Sequence, residues 1–196
     1  MARATDEELM TMFQSGNAGA FEELFKRYKG PIFTFLIRRC GNRDTASELT
    51  QEVFTRVIHR GGTFAHQSRF STWIYTIARN AAVDHARSSR HRQHASLDQT
   101  GDDHQALSER IPGNLPQPDR GSEAASLRDA LAAAIDRLPE DQKEVFILRE
   151  YHGMPFQEIA QVVDAKVGTV KSRMRYALES LRRELEPWED IARSPQ

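Results

Sequence analysis

The sequence predicts an all-α protein of two small helical domains joined by a flexible linker. Three observations lead there. Apolar residues recur at three-and-four spacing in every periodic stretch, with no strand pattern and no tandem repeat. Residues 95–121 break that periodicity with Gly101, Gly113, Gly121, Pro112, Pro116 and Pro118, a composition suited to a tether without a packed core. The 196 residues, 39% hydrophobic and 28% charged, suffice for compact helical units but not for one large core. The expected boundaries are 1–94 for the first domain, 95–121 for the linker and 122–196 for the second domain.

The elements follow in order. Thr5 reads as an N-cap, with Asp6, Glu7 and Glu8 complementing the positive end of the helix it opens. Phe21, Leu24, Phe25 and Tyr28 mark an amphipathic helix, which Gly30-Pro31 is expected to interrupt before Ile32–Arg39 continues. After a stop at Gly41-Asn42, Thr45–Arg60 forms a helix with Leu49, Val53, Phe54 and Val57 inward, ended by Gly61-Gly62. The loop TFAHQSRFS leads into Thr72–Arg92, whose inner face is Trp73, Ile74, Ile77, Ala78 and Ala81. Tyr75 fits either a core or a surface role. The second domain contributes helices over Ser122–Leu138, Glu140–Tyr151, Phe156–Val163 and Lys166–Glu186.

The last two helices carry the functional signal. Val167, Val170, Met174, Ala177, Leu178, Leu181 and Leu185 form an apolar stripe. At about 100° per residue, Thr169, Ser172 and Tyr176 fall opposite it, flanked by Arg173 and Arg175. A short helix, a turn and a longer helix with a cationic, hydroxylic outer face is the layout of a helix-turn-helix DNA reader. An ordinary helical hairpin with a solvated basic face is the other reading.

Net charge is −1 overall, but its distribution is uneven: +4 over residues 61–95, +3 over 166–186 and −8 between them. Two basic patches around an acidic middle suit two contacts with a polyanion. The single cysteine, Cys40, excludes an internal disulfide framework and fits a reducing compartment. The opening MARATDEELM lacks the pattern of a signal peptide, and no apolar stretch approaches the ~20 residues that span a bilayer. A soluble cytoplasmic protein is the expectation. His85, His91, His94 and Asp84 form the one grouping that resembles a metal site, yet His85 and His91 lie six apart, on different helix faces. No phosphate-binding loop or nucleophile elbow occurs. Neither an enzyme nor a metal or cofactor is expected.

The segments TASELTQEVFTRV (45–57), FAHQSRFSTWIYTIARNAAVDHAR (64–87), LPEDQKEVFILREYHGMPFQEIA (138–160) and VGTVKSRMRYALESLRREL (167–185) together resemble a bacterial sigma factor of the extracytoplasmic-function (ECF) class, in sigma-70 group 4. The resemblance covers nearly the whole chain, in order. It implies a region 2 domain that docks on the β′ clamp helices of RNA polymerase through Glu48, Gln51 and Glu52 and opens the −10 element. Phe64 with Ala65, His66, Gln67 and Ser68 would hold a flipped base. Asn80 and Asp84 would face neighbouring bases, and Arg79, Arg87 and Arg90 would hold phosphates. It implies a region 4 domain, contacting the β flap, whose Thr169, Lys171, Ser172, Arg173, Arg175 and Tyr176 enter the −35 major groove. Lys171 lies nearer the apolar side, which favours a phosphate contact or a snorkelling stem over base reading. The acidic linker residues Asp98, Asp102, Asp103, Glu109 and Asp119 would either mimic a nucleic-acid backbone in the polymerase cleft or be merely solvated. An anti-sigma protein is the implied regulator.

Three departures stand out. Ala65-His66 replaces the family's Arg-Gly pair, leaving the trapped base undetermined. Asp164 and Lys166 stand where Gly and Pro are usual in the turn; Asp164 can adopt the left-handed conformation at some cost and can cap the next helix. Thr45 and Ser47 stand where acids are usual at the start of the clamp-binding helix. Either Thr45 merely caps that helix, or a Ser/Thr kinase restores the missing charge at Thr45 or Ser47. The functional alternative is a stand-alone helix-turn-helix regulator that never joins polymerase.

Overall fold

The structure, a computed structural model, describes residues 4–64, 68–97 and 123–188, which contain helices and no strand. The linker acids Asp98, Asp102, Asp103, Glu109 and Asp119 lie outside the described residues. The chain divides into two compact units.

In the first unit, α1 (Asp6–Gln14) opens with a capping box: the Thr5 hydroxyl accepts from the Glu8 amide, and the Glu8 carboxylate accepts from the Thr5 amide. Helix α2 spans Ala18–Cys40 without a break, contrary to the interruption expected at Gly30-Pro31. Gly30 has no Cβ to clash with the proline ring, and both residues are exposed, so the proline sits in the helix at the cost of one backbone hydrogen bond. Helix α3 (Arg43–Arg60) begins two residues earlier than expected. Its cap is Asn42, whose side chain accepts from the Thr45 amide at 2.9 Å. Thr45 is therefore inside the first turn and does not cap the helix. Gly61 ends α3 in right-handed geometry rather than as a left-handed cap. Its requirement is space: a Cβ there would lie 2.9 Å from Phe13 Cε1 and 3.0 Å from Met10 Cε.

Helix α4 (Phe70–Leu97) runs three residues past the expected domain end. Phe70, Ile74, Tyr75, Ile77, Ala78 and Ala81 are buried, and the Tyr75 ring meets Phe35 edge-on at 5.5 Å. Trp73, expected in the inner face, is only half-buried; Tyr75 takes the core position. Burial pushes the Tyr75 hydroxyl pKa well up. A polar knot joins α1 to α2: Asp6 accepts from Arg27 Nη1 at 2.7 Å and from the Tyr28 hydroxyl at 2.5 Å. Burial and the Asp6 carboxylate push the Tyr28 pKa up as well.

In the second unit, α5 (Glu123–Arg137) and α6 (Glu140–Phe146) pack on α8 (Val167–Leu185), while α7 (Phe156–Val162) precedes the turn. Helix α6 continues as a π turn over Ile147–Tyr151, completing the expected 140–151 stretch. Val170, Met174, Ala177 and Leu181 are the buried stripe of α8, but Leu178 is 48% exposed. It lies beyond the strip that α5 and α6 cover. Asp164 adopts φ 51°, the left-handed geometry its position demands. The cap expected of it is not made: Lys166 is the N-cap of α8, with no side-chain cap bond.

Candidate nucleic-acid interface

Both units present exposed polar helix faces. In the first, the spacing of Asn80, Asp84 and Arg87 puts all three on one side of α4, exposed, with Arg79 half-buried at the edge. Arg90 lies within α4, and Ala65, His66 and Gln67 fall outside the described residues. Ser68 is half-buried. Phe64 is 4% exposed, its ring centroid 5.3 Å from Trp73 and 6.0 Å from Phe70. It is thus the floor of an aromatic cluster whose half-buried member is Trp73.

Glu48, Gln51 and Glu52 are exposed along one face of α3, with Ser47 exposed and Thr45 half-buried before them. Arg56 joins this face to that of α4: its guanidinium lies 2.6 Å from Glu52 and 3.6 Å from Asp84. The Arg56 guanidinium offsets part of the negative charge that Glu52 and Asp84 place on this side of the unit. The Glu52–Arg56 spacing is legible as a helical ion pair. The reach to Asp84 crosses between helices and leaves no trace in sequence.

In the second unit, Thr169, Lys171, Ser172, Arg175 and Tyr176 are exposed on α8. Arg175 lies over the Tyr176 ring at 4.9 Å and 3.7 Å from Glu179. The cation–π contact holds a guanidinium over an exposed aromatic ring. Arg173 sits at the shoulder of the helix, and its Nε is 3.0 Å from Asp141 on α6. That contact leaves the Nη groups of the fork as its remaining donors. Sequence reasoning grouped Arg173 with the readers and missed Asp141, because α6 reaches α8 only through tertiary packing. Two more cross-helix pairs fix the frame: Arg137 Nε lies 2.7 Å from Glu184 and Lys143 Nζ 3.3 Å from Asp136.

Among the described residues no cluster of three His, Cys, Asp or Glu side chains is placed to hold a metal ion. Nor is any helix among them long and apolar enough to cross a membrane.

Family models match both units. Residues 24–92 match "Sigma-70 region 2" and residues 128–181 match "Sigma-70, region 4". The chain is 33% identical over 192 residues to the RNA polymerase sigma-H factor of Pseudomonas aeruginosa, covering 95% of this chain and 97% of that protein. It is 35% identical over 178 residues to the ECF RNA polymerase sigma factor BldN of Streptomyces coelicolor, covering 90% of this chain and 64% of that longer protein. The fold is similar to that of the sigma factor RpoE solved in complex with the anti-sigma factor NepR from Bartonella quintana, with TM-score 0.66, 23% identity, and coverage of 85% and 96% of the two chains. It is similar also to CnrH solved with the cytosolic domain of CnrY, at TM-score 0.64, 23% identity, and 93% and 97% coverage. With its two regions in order and full-length likeness to a named sigma factor, the chain belongs to the sigma-70 family of RNA polymerase sigma factors, in its extracytoplasmic-function group.

Proposed function

We propose that this chain binds core RNA polymerase in the cytoplasm and directs it to promoters carrying −10 and −35 elements, acting by binding and without chemistry of its own. Residues 1–94 serve polymerase docking and −10 opening, 122–196 serve −35 reading, and 95–121 tether them. The observation that carries this reading is the pair of separate polar faces, on α4 and α8, one in each matched sigma region. Glu48, Gln51 and Glu52 dock on the β′ clamp helices, and the second domain meets the β flap. Asn80 and Asp84 face the single strand, with Arg79 and Arg87 on its phosphates. Thr169, Ser172, Arg175 and Tyr176 read the −35 groove, Lys171 holds phosphate, and Arg173 works from the Asp141 shoulder. Full-length likeness to a named sigma factor favours this over a stand-alone regulator.

The test is a gel shift and run-off assay on promoter DNA with and without core enzyme. Duplex binding should be weak for the chain alone and strong with core, with a defined transcript. Tight duplex binding without core, and no complex with core, would establish the regulator instead. An anti-sigma protein is the expected inhibitor, as NepR is the partner of the Bartonella relative. A Ser/Thr kinase acting on the start of α3 is the second regulatory reading. Ser47 is exposed, and a phosphate there adds about −1.5 to −2 charges beside Glu48. Ser47→Glu and Thr45→Glu should then raise core affinity over wild type, while the alanine variants should not. Equal affinity for all four variants and wild type would end the kinase reading.

A further inference from the structure

Helices α3 and α4 pack on each other, with Val53, Phe54 and Val57 buried on the first and Ala78, Ala81 and Ala82 on the second. Close-packed apolar groups of this kind fix the two backbones. Between the helices, one guanidinium stands near two carboxylates. Arg56 Nη2 lies 2.6 Å from Glu52 Oε1 on its own helix and 3.6 Å from Asp84 Oδ2 on α4. The first contact is a charge-assisted hydrogen bond; the second is an ion pair too long to be one. One nitrogen therefore serves two acids unequally, and Asp84 has the weaker share.

The two acids belong to different faces. Glu52 lies with exposed Glu48 and Gln51 on α3, the face assigned above to the polymerase clamp. Asp84 lies with exposed Asn80 and Arg87 on α4, the face assigned to the −10 strand. Side-chain exposure is 26% for Arg56, 44% for Glu52 and 62% for Asp84. Both acids can thus be reached by a partner, while the guanidinium between them is the most shielded of the three. A cation brought to Glu52 competes with Arg56 for that carboxylate. The guanidinium then needs only a side-chain adjustment to come within hydrogen-bonding range of Asp84. An Asp84 so neutralised repels the phosphates of an approaching strand less.

We propose that Arg56 is a positioning residue that couples polymerase docking to strand binding. In the free chain Glu52 holds it; on docking, a clamp cation takes Glu52 and releases Arg56 to Asp84, which favours the −10 strand. By reciprocity, strand binding strengthens docking by the same factor. Arg56 itself touches neither polymerase nor DNA. This rests on the sigma-factor reading above.

Two affinities of the full-length chain test it. One is for core enzyme; the other is that of the holoenzyme, at saturating core, for a single-stranded −10 oligonucleotide. Arg56→Gln should move them in opposite directions, each by about threefold, the scale of one part-exposed ion pair. Core binding should tighten because Glu52 loses its internal competitor, and this gain should vanish in a Glu52→Gln background. Strand binding should weaken because Asp84 loses its neutralising partner, and this loss should vanish in an Asp84→Asn background. Losses in both affinities would overturn the coupling and mark Arg56 as a mere strut between helices. So would core binding that fails to tighten or strand binding that fails to weaken. Changes of undiminished size in the Glu52→Gln and Asp84→Asn backgrounds would also overturn it, since they report net surface charge alone. Wild-type chain that forms no holoenzyme would overturn the sigma reading and the coupling with it, and would be recognised because wild type itself fails.

Discussion

The two units build their polar faces in opposite ways. In the second, one helix carries the face: Thr169, Ser172, Arg175 and Tyr176 share α8, and neighbouring helices only hold that helix in place. In the first, the face is a composite. Helix α4 supplies Asn80, Asp84 and Arg87, α3 supplies Arg56 to balance Asp84, and α1 bonds the carbonyls of Gly61 and Phe64 and the first amide of α4. A single-helix reader can be tuned by one substitution at a time. A composite face couples each substitution to several elements, so changes there should cost folding as well as function.

The largest expected contrast comes from Phe70, fully buried between Tyr28, Phe64 and Trp73. Phe70→Ala should destabilise the first unit by about 3–5 kcal/mol, the usual cost of emptying an aromatic site. Tyr176→Ala, on an exposed ring, should change stability by no more than about 0.5 kcal/mol and act on DNA binding alone. Urea unfolding followed by Trp73 fluorescence checks the first, and unfolding followed at the second unit checks the other. Equal destabilisation by both would erase the contrast.

A sharper test lies within α8. Arg175→Ala should lose about 1–3 kcal/mol on the preferred −35 sequence and much less on scrambled DNA, as base contacts do. Arg173→Ala and Asp141→Ala should instead give similar, smaller losses on both DNAs, with a coupling of about 0.5–1 kcal/mol in a double-mutant cycle. Arg182→Ala, near the end of the helix, should do little. Sequence-selective loss from Arg173→Ala with no coupling to Asp141 would return Arg173 to base reading.

The smallest effect separates the units by pH. Tyr28 and Tyr75, both in the first unit, have hydroxyl pKa values raised by burial, whereas Tyr151 and Tyr176 in the second are exposed. A raised folded value means that the stabilising contribution is complete below the unfolded pKa of about 10 and is lost as pH rises past it. First-unit stability should therefore fall above about pH 10, and Tyr28→Phe should flatten that fall at the expense of the Asp6 hydrogen bond. Unfolding curves across alkaline pH measure it; a slope unchanged by Tyr28→Phe would remove that tyrosine from the account.

The amino-acid sequence by itself determined the helices and the polar face of α8. Both are local properties: three-and-four periodicity, caps such as Thr5, and turn residues such as Asp164 act within a few positions of the chain. What local signals misjudged, they misjudged for lack of neighbours. Pro31 stayed inside α2 because Gly30 before it has no Cβ to clash with the ring and the pair is exposed, Leu178 stayed exposed because it lies off the buried stripe of α8, and Tyr75 rather than Trp73 reached Phe35. Only the tertiary structure decided the pairing of Arg173 with Asp141, the meeting of Arg56 with Asp84, and the bonds of Glu7 to the Phe70 amide and of Gln14 to the Gly61 and Phe64 carbonyls. Those contacts join residues up to 63 positions apart. Periodicity gives the direction in which a side chain points, but packing chooses which distant element it meets.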